Sequence, residues 1–116
     1  MKTGDFVKLK NGYIDEIDWL GELKEDIYGV HLSKEPKKRF HNVDEIIKSS
    51  PNIINLIEVG DYVNGRYVDK YQGKLGNFCE LPNGKWEFIE ISNEHYLISS
   101  IVTKEQFERM KYKVGE

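Results

Sequence analysis

Apolar and polar side chains alternate along the first third of the chain, which is the pattern of a β-strand with one buried face. Val7 and Leu9 lie on one face of the first such segment, and lysines lie on the other. The Asn11-Gly12 pair that follows is the strongest short-range signal for a hairpin, so we predict a hairpin over residues 5–20. Residues 27–32 alternate in the same way and predict a third strand.

Short helical signals follow in the middle of the chain. Asn42 is placed to cap a short helical turn, although a strand through residues 45–48 fits the sequence as well. Ser50 followed by Pro51 is typical of a helix start, because proline at the first helical position gives up no hydrogen bond. We therefore predict one to two helical turns over residues 50–57.

The second half of the chain repeats this order of signals. It begins with a hairpin at Tyr62-Val63 and closes with a capping box from Thr103 to Gln106, which starts a helix. The further strands predicted in this half cover residues 77–81, 85–91 with a bulge at Phe88-Ile89, 96–102 and 112–114.

A short motif, Gly-Asp-aromatic-Val, occurs at residues 4–7 and again at residues 60–63. Each copy leads through Asn-Gly into Tyr-aliphatic-Asp, at Tyr13 and at Tyr67. The first copy is two residues longer between the valine and the tyrosine, a difference that leaves every later side chain on the same face. The repeat predicts a mainly β fold with two tandem SH3-like β-barrel-type units, each ending in a short helical turn.

We place these units at residues 1–58 and 59–116. Each then has fewer than 60 residues, and a chain of that size buries too little surface to be strongly stable alone. We therefore expect the two units to pack as one body.

Composition favours a folded protein without a general attraction for polyanions. Apolar residues make up 39% of the chain, which is enough for a core, and 17 basic residues against 20 acidic ones leave a net charge of −3. The single cysteine, Cys79, excludes an internal disulfide and fits a reducing compartment. Because no apolar segment approaches the roughly 18–20 residues of a membrane span, we expect a cytoplasmic protein with no membrane partner.

Two stretches carry a resemblance to known proteins: residues 47–65, with Leu-Ile-Glu-Val-Gly-Asp-Tyr-Val-Asn-Gly, and residues 101–107, Ile-Val-Thr-Lys-Glu-Gln-Phe. Over roughly residues 47–114 the chain resembles small accessory proteins encoded in phages and prophages of Gram-positive bacteria, a family of unknown function. The resemblance implies the cytoplasm of a bacterial host. It also implies a setting in which small proteins often bind and disable host machinery, including CRISPR nucleases and other defence systems.

Acidic side chains crowd into residues 15–26, with only Lys24 of opposite sign. One interpretation is a solvated strand and loop, the usual place of such runs. The other is a partner-binding surface with an apolar anchor at Trp19 and carboxylates that imitate phosphates. Exposure of Trp19 would favour the second. This acidic edge comprises Asp15, Glu16, Asp18, Trp19, Glu22, Glu25 and Asp26.

A short basic loop follows the third predicted strand. Lysine and arginine bind phosphates, and an aromatic ring stacks on bases, so this loop is the alternative contact for a nucleic acid. The acidic net charge of the chain favours a plain solvated loop instead. The basic loop comprises Lys34, Lys37, Lys38, Arg39 and Phe40.

The sequence does not assemble a catalytic, metal or cofactor site. His31, His41 and His95 lie far apart, and none has the spacing of metal ligands. Nothing near Cys79 resembles a nucleophile motif, and the glycines form no phosphate-binding loop. We therefore expect no catalytic residue, no metal ligand and no cofactor.

These patterns predict a non-enzymatic binding protein. The first choice of partner is a host protein held at the acidic edge, and the second choice is a nucleic acid at the basic loop. The sharper form of the prediction is an inhibitor of a bacterial defence system such as a CRISPR nuclease. The sequence defines no oligomeric state.

Overall fold

The computed structural model describes residues 1–91 and 97–114, with only the backbone described for 110–114. Within these ranges the chain is mainly β, as predicted, with three small antiparallel sheets, one short α-helix and no closed barrel. It divides into two compact units, Met1–Leu56 and Ile57–Glu116. None of the helical segments in the described ranges has the length and apolar character needed to span a membrane.

The first unit contains one five-stranded sheet with the strand order β4-β3-β2-β1-β5, and all neighbours are antiparallel. Single 3₁₀ turns follow β4 and β5. The strands are β1 Phe6–Leu9, β2 Ile14–Lys24, β3 Ile27–Leu32, β4 His41–Asn42 and β5 Ile46–Ser50, and the turns are Val43–Glu45 and Ile53–Leu56.

The hairpin predicted at the start of the chain is confirmed: Lys8 pairs with Ile14 across the Asn-Gly turn. The helical turn and the strand that were alternatives after Asn42 both occur, one after the other. Asn42 caps the turn Val43–Glu45 with a full capping box, and β5 begins directly after this turn, at Ile46. The helix predicted over residues 50–57 is shortened to one 3₁₀ turn, Ile53–Leu56.

The core of the first unit lies on one face of this sheet. Partly buried apolar side chains of β2, β5 and the intervening turns pack around it. Its fully buried members are Val7, Leu9, Ile17, Val30 and Leu32.

The second unit contains two three-stranded sheets, ordered β11-β6-β7 and β10-β9-β8. An α-helix, α1, follows β11 and spans Lys104–Val114. The strands are β6 Tyr62–Val63, β7 Arg66–Tyr67, β8 Asp69–Tyr71, β9 Lys74–Glu80, β10 Trp86–Glu90 and β11 Ile101–Val102.

The capping box is confirmed, since Thr103 N donates to Gln106 Oε1 at 3.0 Å and Gln106 N donates to Thr103 Oγ1 at 3.3 Å. The strand predicted over residues 112–114 is wrong, because α1 continues through Val114 on a run of good helix formers.

Two other strand predictions for this unit need correction. The bulge predicted at Phe88-Ile89 is absent, because β10 pairs with β9 in unbroken register. The strand predicted over residues 96–102 is limited to Ile101–Val102; residues 97–100 are not strand, and Tyr96 lies outside the described residues.

The two Gly-Asp copies make the same backbone hydrogen bonds, at 2.8–3.1 Å: Gly4 N to Ile17 O and Ile17 N to Asp5 O, then Gly60 N to Val68 O and Val68 N to Asp61 O. Ile17 therefore corresponds to Val68. Ile17 lies 13 residues after Gly4, and Val68 lies eight residues after Gly60. Measured between these equivalent residues, the first hairpin is five residues longer than the second, not two. The predicted equivalence of Tyr13 with Tyr67 is wrong, because the strand register matches Tyr67 with Glu16.

With this correspondence the units share one order of strand pairing. In the second unit β7 and β8 together take the place of the long β2, and Val68 interrupts them. The strand β11 pairs with β6 as β5 pairs with β1, and β9 pairs with β8 as β3 pairs with the end of β2. The repeat in sequence is therefore matched by a repeat in hydrogen bonding.

Candidate functional site

An open pocket of about 310 Å³ lies in the first unit, between the β2–β3 hairpin and the loop that precedes β4. It combines residues of the acidic edge with residues of the basic loop, which the sequence assigned to two rival functions. Its lining consists of Asp18, Trp19, His31, Lys37 and Phe40. We call it the Trp19 pocket.

A β-bulge explains why Trp19 faces this pocket. Ile17 pairs with Leu32 in the core, and the register then shifts so that Asp18 is an extra residue and Trp19 pairs with His31. In a regular strand Ile17 and Trp19 would share a face, but one extra residue moves Trp19 to the opposite face. The bulge at Asp18 therefore turns Trp19 out of the core.

Two glycines opposite each other make room for large side chains on this outer face. Gly21 pairs with Gly29 across the hairpin. A Cβ atom on Gly21 would lie 2.6 Å from the Trp19 ring, and one on Gly29 would collide with Leu23. The paired glycines therefore leave space on this face, and the Trp19 and Leu23 side chains occupy that space.

Aromatic contacts hold Trp19 while leaving much of it open. Phe40 meets the Trp19 and His31 rings edge-on, each with a centroid distance of 5.4 Å. Trp19 is nevertheless 40% exposed. This exposure favours the binding interpretation of the acidic edge over the purely solvated one.

His31 fastens the basic loop to the hairpin. Its Nδ1 lies 2.7 Å from Asp18 Oδ1 and its Nε2 lies 2.8 Å from the Pro36 carbonyl oxygen. Both partners are acceptors, so only the protonated ring donates to both. The hydrogen bond to Pro36, followed by the hydrogen bond to Asp18, raises the pKa of His31 above its ordinary 6.5. Because both ring nitrogens are occupied, this Asp–His pair is a clamp on the loop rather than a free general base.

Further hydrogen bonds fix the loop over residues 33–40. Its start is held by Ser33 N, which donates to Glu16 O at 2.9 Å, and by Lys34 N, which donates to Asp15 Oδ2 at 2.8 Å. At its other end His41 Nε2 lies 3.3 Å from Glu35 Oε1. The loop therefore presents Lys37 and Phe40 in a defined position.

Asp15 lies apart from the exposed part of the acidic edge. It is buried, and its carboxylate accepts hydrogen bonds from Tyr13 Oη at 3.0 Å, Glu16 N at 2.7 Å and Lys34 N at 2.8 Å. Burial, followed by the hydrogen bond to Asp15, raises the pKa of Tyr13. Asp15 thus supports the loop from inside, and Glu16 beside it is half-buried.

The remaining carboxylates lie along the hairpin toward its tip. Glu22, Glu25 and Asp26 are exposed, and Glu25 is six residues beyond Trp19, about 20 Å at roughly 3.3 Å per residue. The structure therefore brings only Asp18 and Trp19 of the acidic edge into the pocket. Of the basic loop it brings Lys37 and Phe40 into the lining. Lys34, Lys38 and Arg39 are exposed and do not line the pocket, and Arg39 Nε lies 3.4 Å from Glu35 Oε2.

Sequence reasoning missed one member of this site. His31 was considered as a metal ligand, and its link between Asp18 and the basic loop was not predicted. The glycines at 21 and 29, which pair across the hairpin, are the signal that points to an open outer face carrying large side chains.

The described residues contain no group of three or more histidine, cysteine, aspartate or glutamate side chains arranged to hold a metal ion. Comparisons with protein-family models, with curated proteins and with solved structures found no match for this chain. The function is therefore inferred from the geometry of the site.

Proposed function

We propose that this chain is a non-enzymatic binding protein that holds a protein partner at the Trp19 pocket. The observation that carries the proposal is the bulge at Asp18, which turns Trp19 out of the core and leaves 40% of it exposed. Burying a large aromatic side chain in a core is favourable, so a sequence that directs one outward forgoes that stabilisation unless a partner covers the ring.

The surroundings of Trp19 suit a binding hot spot. Phe40 contacts the Trp19 ring, and His31 in turn contacts Phe40. The hydrogen-bonded loop keeps Lys37 and Phe40 in place before a partner arrives. Preorganised side chains lose little conformational entropy on binding, which raises affinity. Tryptophan is one of the residue types enriched at binding hot spots.

Charge favours a protein partner over a nucleic acid. Asp18 accepts a hydrogen bond from protonated His31 and offsets its charge, which leaves the positive charge of Lys37 among the described lining residues, so the pocket has no strong excess of positive charge. The exposed carboxylates toward the hairpin tip attract a basic partner and speed its association, and they repel phosphates.

The strand order supports the tandem SH3-like interpretation of the fold. Five strands in the order β4-β3-β2-β1-β5, with a 3₁₀ turn before the last strand, resemble the connectivity of an SH3-like unit, and the second unit repeats the pairing order. Aromatic surfaces of such units bind peptide segments, although a fold alone does not define a function.

The resemblance to phage and prophage accessory proteins supplies the biological setting. In that setting the partner is a host protein in the bacterial cytoplasm, and the chain acts by occluding a surface of it. A component of a defence system, such as a CRISPR nuclease, is the sharper form of this proposal.

A capture experiment with matched variants tests the proposal. Tagged protein is incubated with lysate of a Gram-positive host, with and without nuclease, and captured proteins are identified by mass spectrometry. Gly21→Ala is the most specific variant, because the added methyl group displaces the Trp19 ring and changes no charge. Trp19→Ala removes the ring, and Tyr67→Ala in the second unit is the control for loss of an exposed aromatic side chain.

We expect a stoichiometric protein that survives nuclease, is lost with Trp19→Ala and Gly21→Ala, and is retained with Tyr67→Ala. Equal capture by the folded Trp19→Ala variant contradicts the proposal. Capture that disappears with nuclease, and also with Lys37→Glu plus Lys38→Glu, supports the nucleic-acid alternative at the basic loop.

A further inference from the structure

The second unit has an aromatic surface that the first unit's pocket does not involve. Phe78 on β9 pairs directly with Phe88 on β10. Tyr71 and Trp86 fall on the same face, since side chains two positions apart along a strand share a face and Tyr71 pairs with Lys74. We call the face formed by Tyr71, Phe78, Trp86 and Phe88 the aromatic face.

Its side chains are strongly exposed. Trp86 is 63%, Tyr71 49% and Phe78 40% exposed. With about 200 Å² for each full side chain, these three leave roughly 300 Å² of aromatic surface open to solvent. The largest apolar patch on a typical monomeric protein has about this size and is often functional.

Gly76 lies beneath the rings. A Cβ atom there would approach the Phe88 ring to 2.6 Å and collide with the backbone oxygen of Ile89. Phe88 therefore lies across the glycine on the outer face, as Trp19 lies across Gly21 in the first unit. In both units, therefore, an aromatic ring packs over a glycine on the outer face of a sheet.

The rings meet at steep angles rather than in one plane. Phe78 and Phe88 have a centroid distance of 4.9 Å and an interplanar angle of 61°, and Tyr71 and Phe78 have 5.9 Å and 75°. Such an arrangement makes ridges and clefts between rings. It suits bulky saturated rings that insert between aromatics better than flat bases that need an open, parallel platform.

The charges on this face are mostly negative. Asp69, Glu80 and Glu90 share the face with the aromatics, and Lys74 is the cation among them in the described strands. Lys74 Nζ lies 3.5 Å from Glu90 Oε2, so its charge is partly neutralised. An acidic rim repels a phosphate backbone and attracts lysine or arginine.

We propose that the aromatic face binds a proline-rich segment of a partner protein that carries lysine or arginine beside its prolines. Pyrrolidine rings pack between aromatic side chains, and the polyproline II helix is already extended, so little entropy is lost on binding. The basic residues pair with the acidic rim. This site shares no residue with the Trp19 pocket, so each proposal is tested by its own variants.

Fluorescence of the full chain tests this inference. The chain has two tryptophans, so Trp19→Phe leaves Trp86 as the single tryptophan reporter. The probe is a synthetic peptide with about eight prolines between pairs of arginines. We expect a saturable shift of Trp86 emission to shorter wavelength as the ring leaves water. Replacing the arginines by glutamates weakens binding.

Variants of the full chain complete the test, with a labelled copy of the same peptide and anisotropy as the readout. Trp86→Ala and Phe78→Ala are expected to weaken binding at least about tenfold. Tyr67→Ala, an exposed tyrosine of the same unit outside the face, leaves binding unchanged. Absence of saturable peptide binding, or binding undiminished in folded Trp86→Ala, overturns the inference. Oligothymidine that binds more tightly than the peptide, and is lost with Trp86→Ala, also overturns it in favour of single-stranded nucleic acid.

Discussion

Asp15, Asp18 and Glu25 come from one strand and its turn, and the structure gives each a different role. Asp15 is buried and accepts three hydrogen bonds, Asp18 pairs with His31, and Glu25 is exposed at the hairpin tip. Acidic residues that are close together in the sequence therefore do not form one continuous acidic surface. Burial and hydrogen bonding separate the carboxylate that stabilises the fold from those available to a partner.

The first prediction contrasts Asp15 with Glu25. Asp15→Ala leaves three partly buried donors without their acceptor, and we expect a loss of about 2–4 kcal/mol in the free energy of unfolding. Glu25→Ala, on an exposed turn, should change it by less than about 0.5 kcal/mol. Urea denaturation at neutral pH measures both. Similar losses for the two variants would show that Asp15 is not the anchor of the loop.

The second prediction concerns the pH dependence of the His31 clamp. Because the pKa of His31 is raised above 6.5 in the folded chain, protonated His31 stabilises the fold fully below pH 6.5. That contribution is lost as the pH rises through the raised pKa. We expect the Tm to fall between about pH 6 and pH 8, and to fall less in His31→Gln, which removes the titrating group.

Thermal denaturation at both pH values, with NMR titration of His31 in the wild-type chain, gives the comparison. Asp18→Asn is a useful second variant, since it removes the negative charge beside His31 and should lower the pKa of His31. An identical fall in Tm for the wild type and His31→Gln would rule out the clamp as a titrating contact.

At the scale of elements, two similar patterns of adjacent apolar residues give different strands. The pair Trp19-Leu20 follows a bulge. The pair Phe88-Ile89 lies in regular strand pairing, although the sequence pattern predicted a bulge there. Ile17 and Leu20 both belong to the core side and lie three positions apart, so only an extra residue between them puts both on one face. The bulge is therefore required because Ile17 and Leu20 both pack on the core side.

The third prediction concerns the Gly-Asp motif as a cap. Asp61 is buried, and its Oδ1 accepts from Lys104 N in the first turn of α1 while its Oδ2 accepts from Glu58 N, both at 2.8 Å. Asp5, its counterpart in the first unit, accepts from Lys2 N at 3.1 Å. We expect Asp61→Ala to cost about 2–4 kcal/mol and to reduce the helical signal of α1, and Asp5→Ala to cost about 1 kcal/mol.

Urea denaturation followed by circular dichroism measures both effects in the same experiment. Asp61→Asn is the matched control, because its amide keeps one acceptor oxygen and should retain part of the stability. Equal costs for the alanine variants at positions 5 and 61 would argue against a capping role specific to the second unit.

At the scale of the whole molecule, the fourth prediction follows from size. The first unit covers Met1–Leu56, and a domain of that length buries only about 60% of the surface of its unfolded chain. We expect a fragment of residues 1–56 to unfold at a lower urea concentration than the whole chain. A fragment with an unchanged midpoint would contradict the sequence-based prediction that the two units pack as one body.

The sequence by itself determined the local features of this protein. Alternation, the Asn-Gly turn, the Asn42 cap and the Thr103 capping box depend on neighbours within a few residues, and each is present as predicted. The Gly-Asp repeat was also visible, because the same residues make the same hydrogen bonds in both copies.

Tertiary structure decided which residues meet and which faces stay open. The five-residue difference between the hairpins, the bulge at Asp18 and the burial of Asp15 depend on pairing between segments distant in sequence. The Trp19 pocket likewise joins β2, β3 and the loop before β4. Whether a side chain is buried is set by what packs against it across the sheet, and the pattern along one strand does not contain that information.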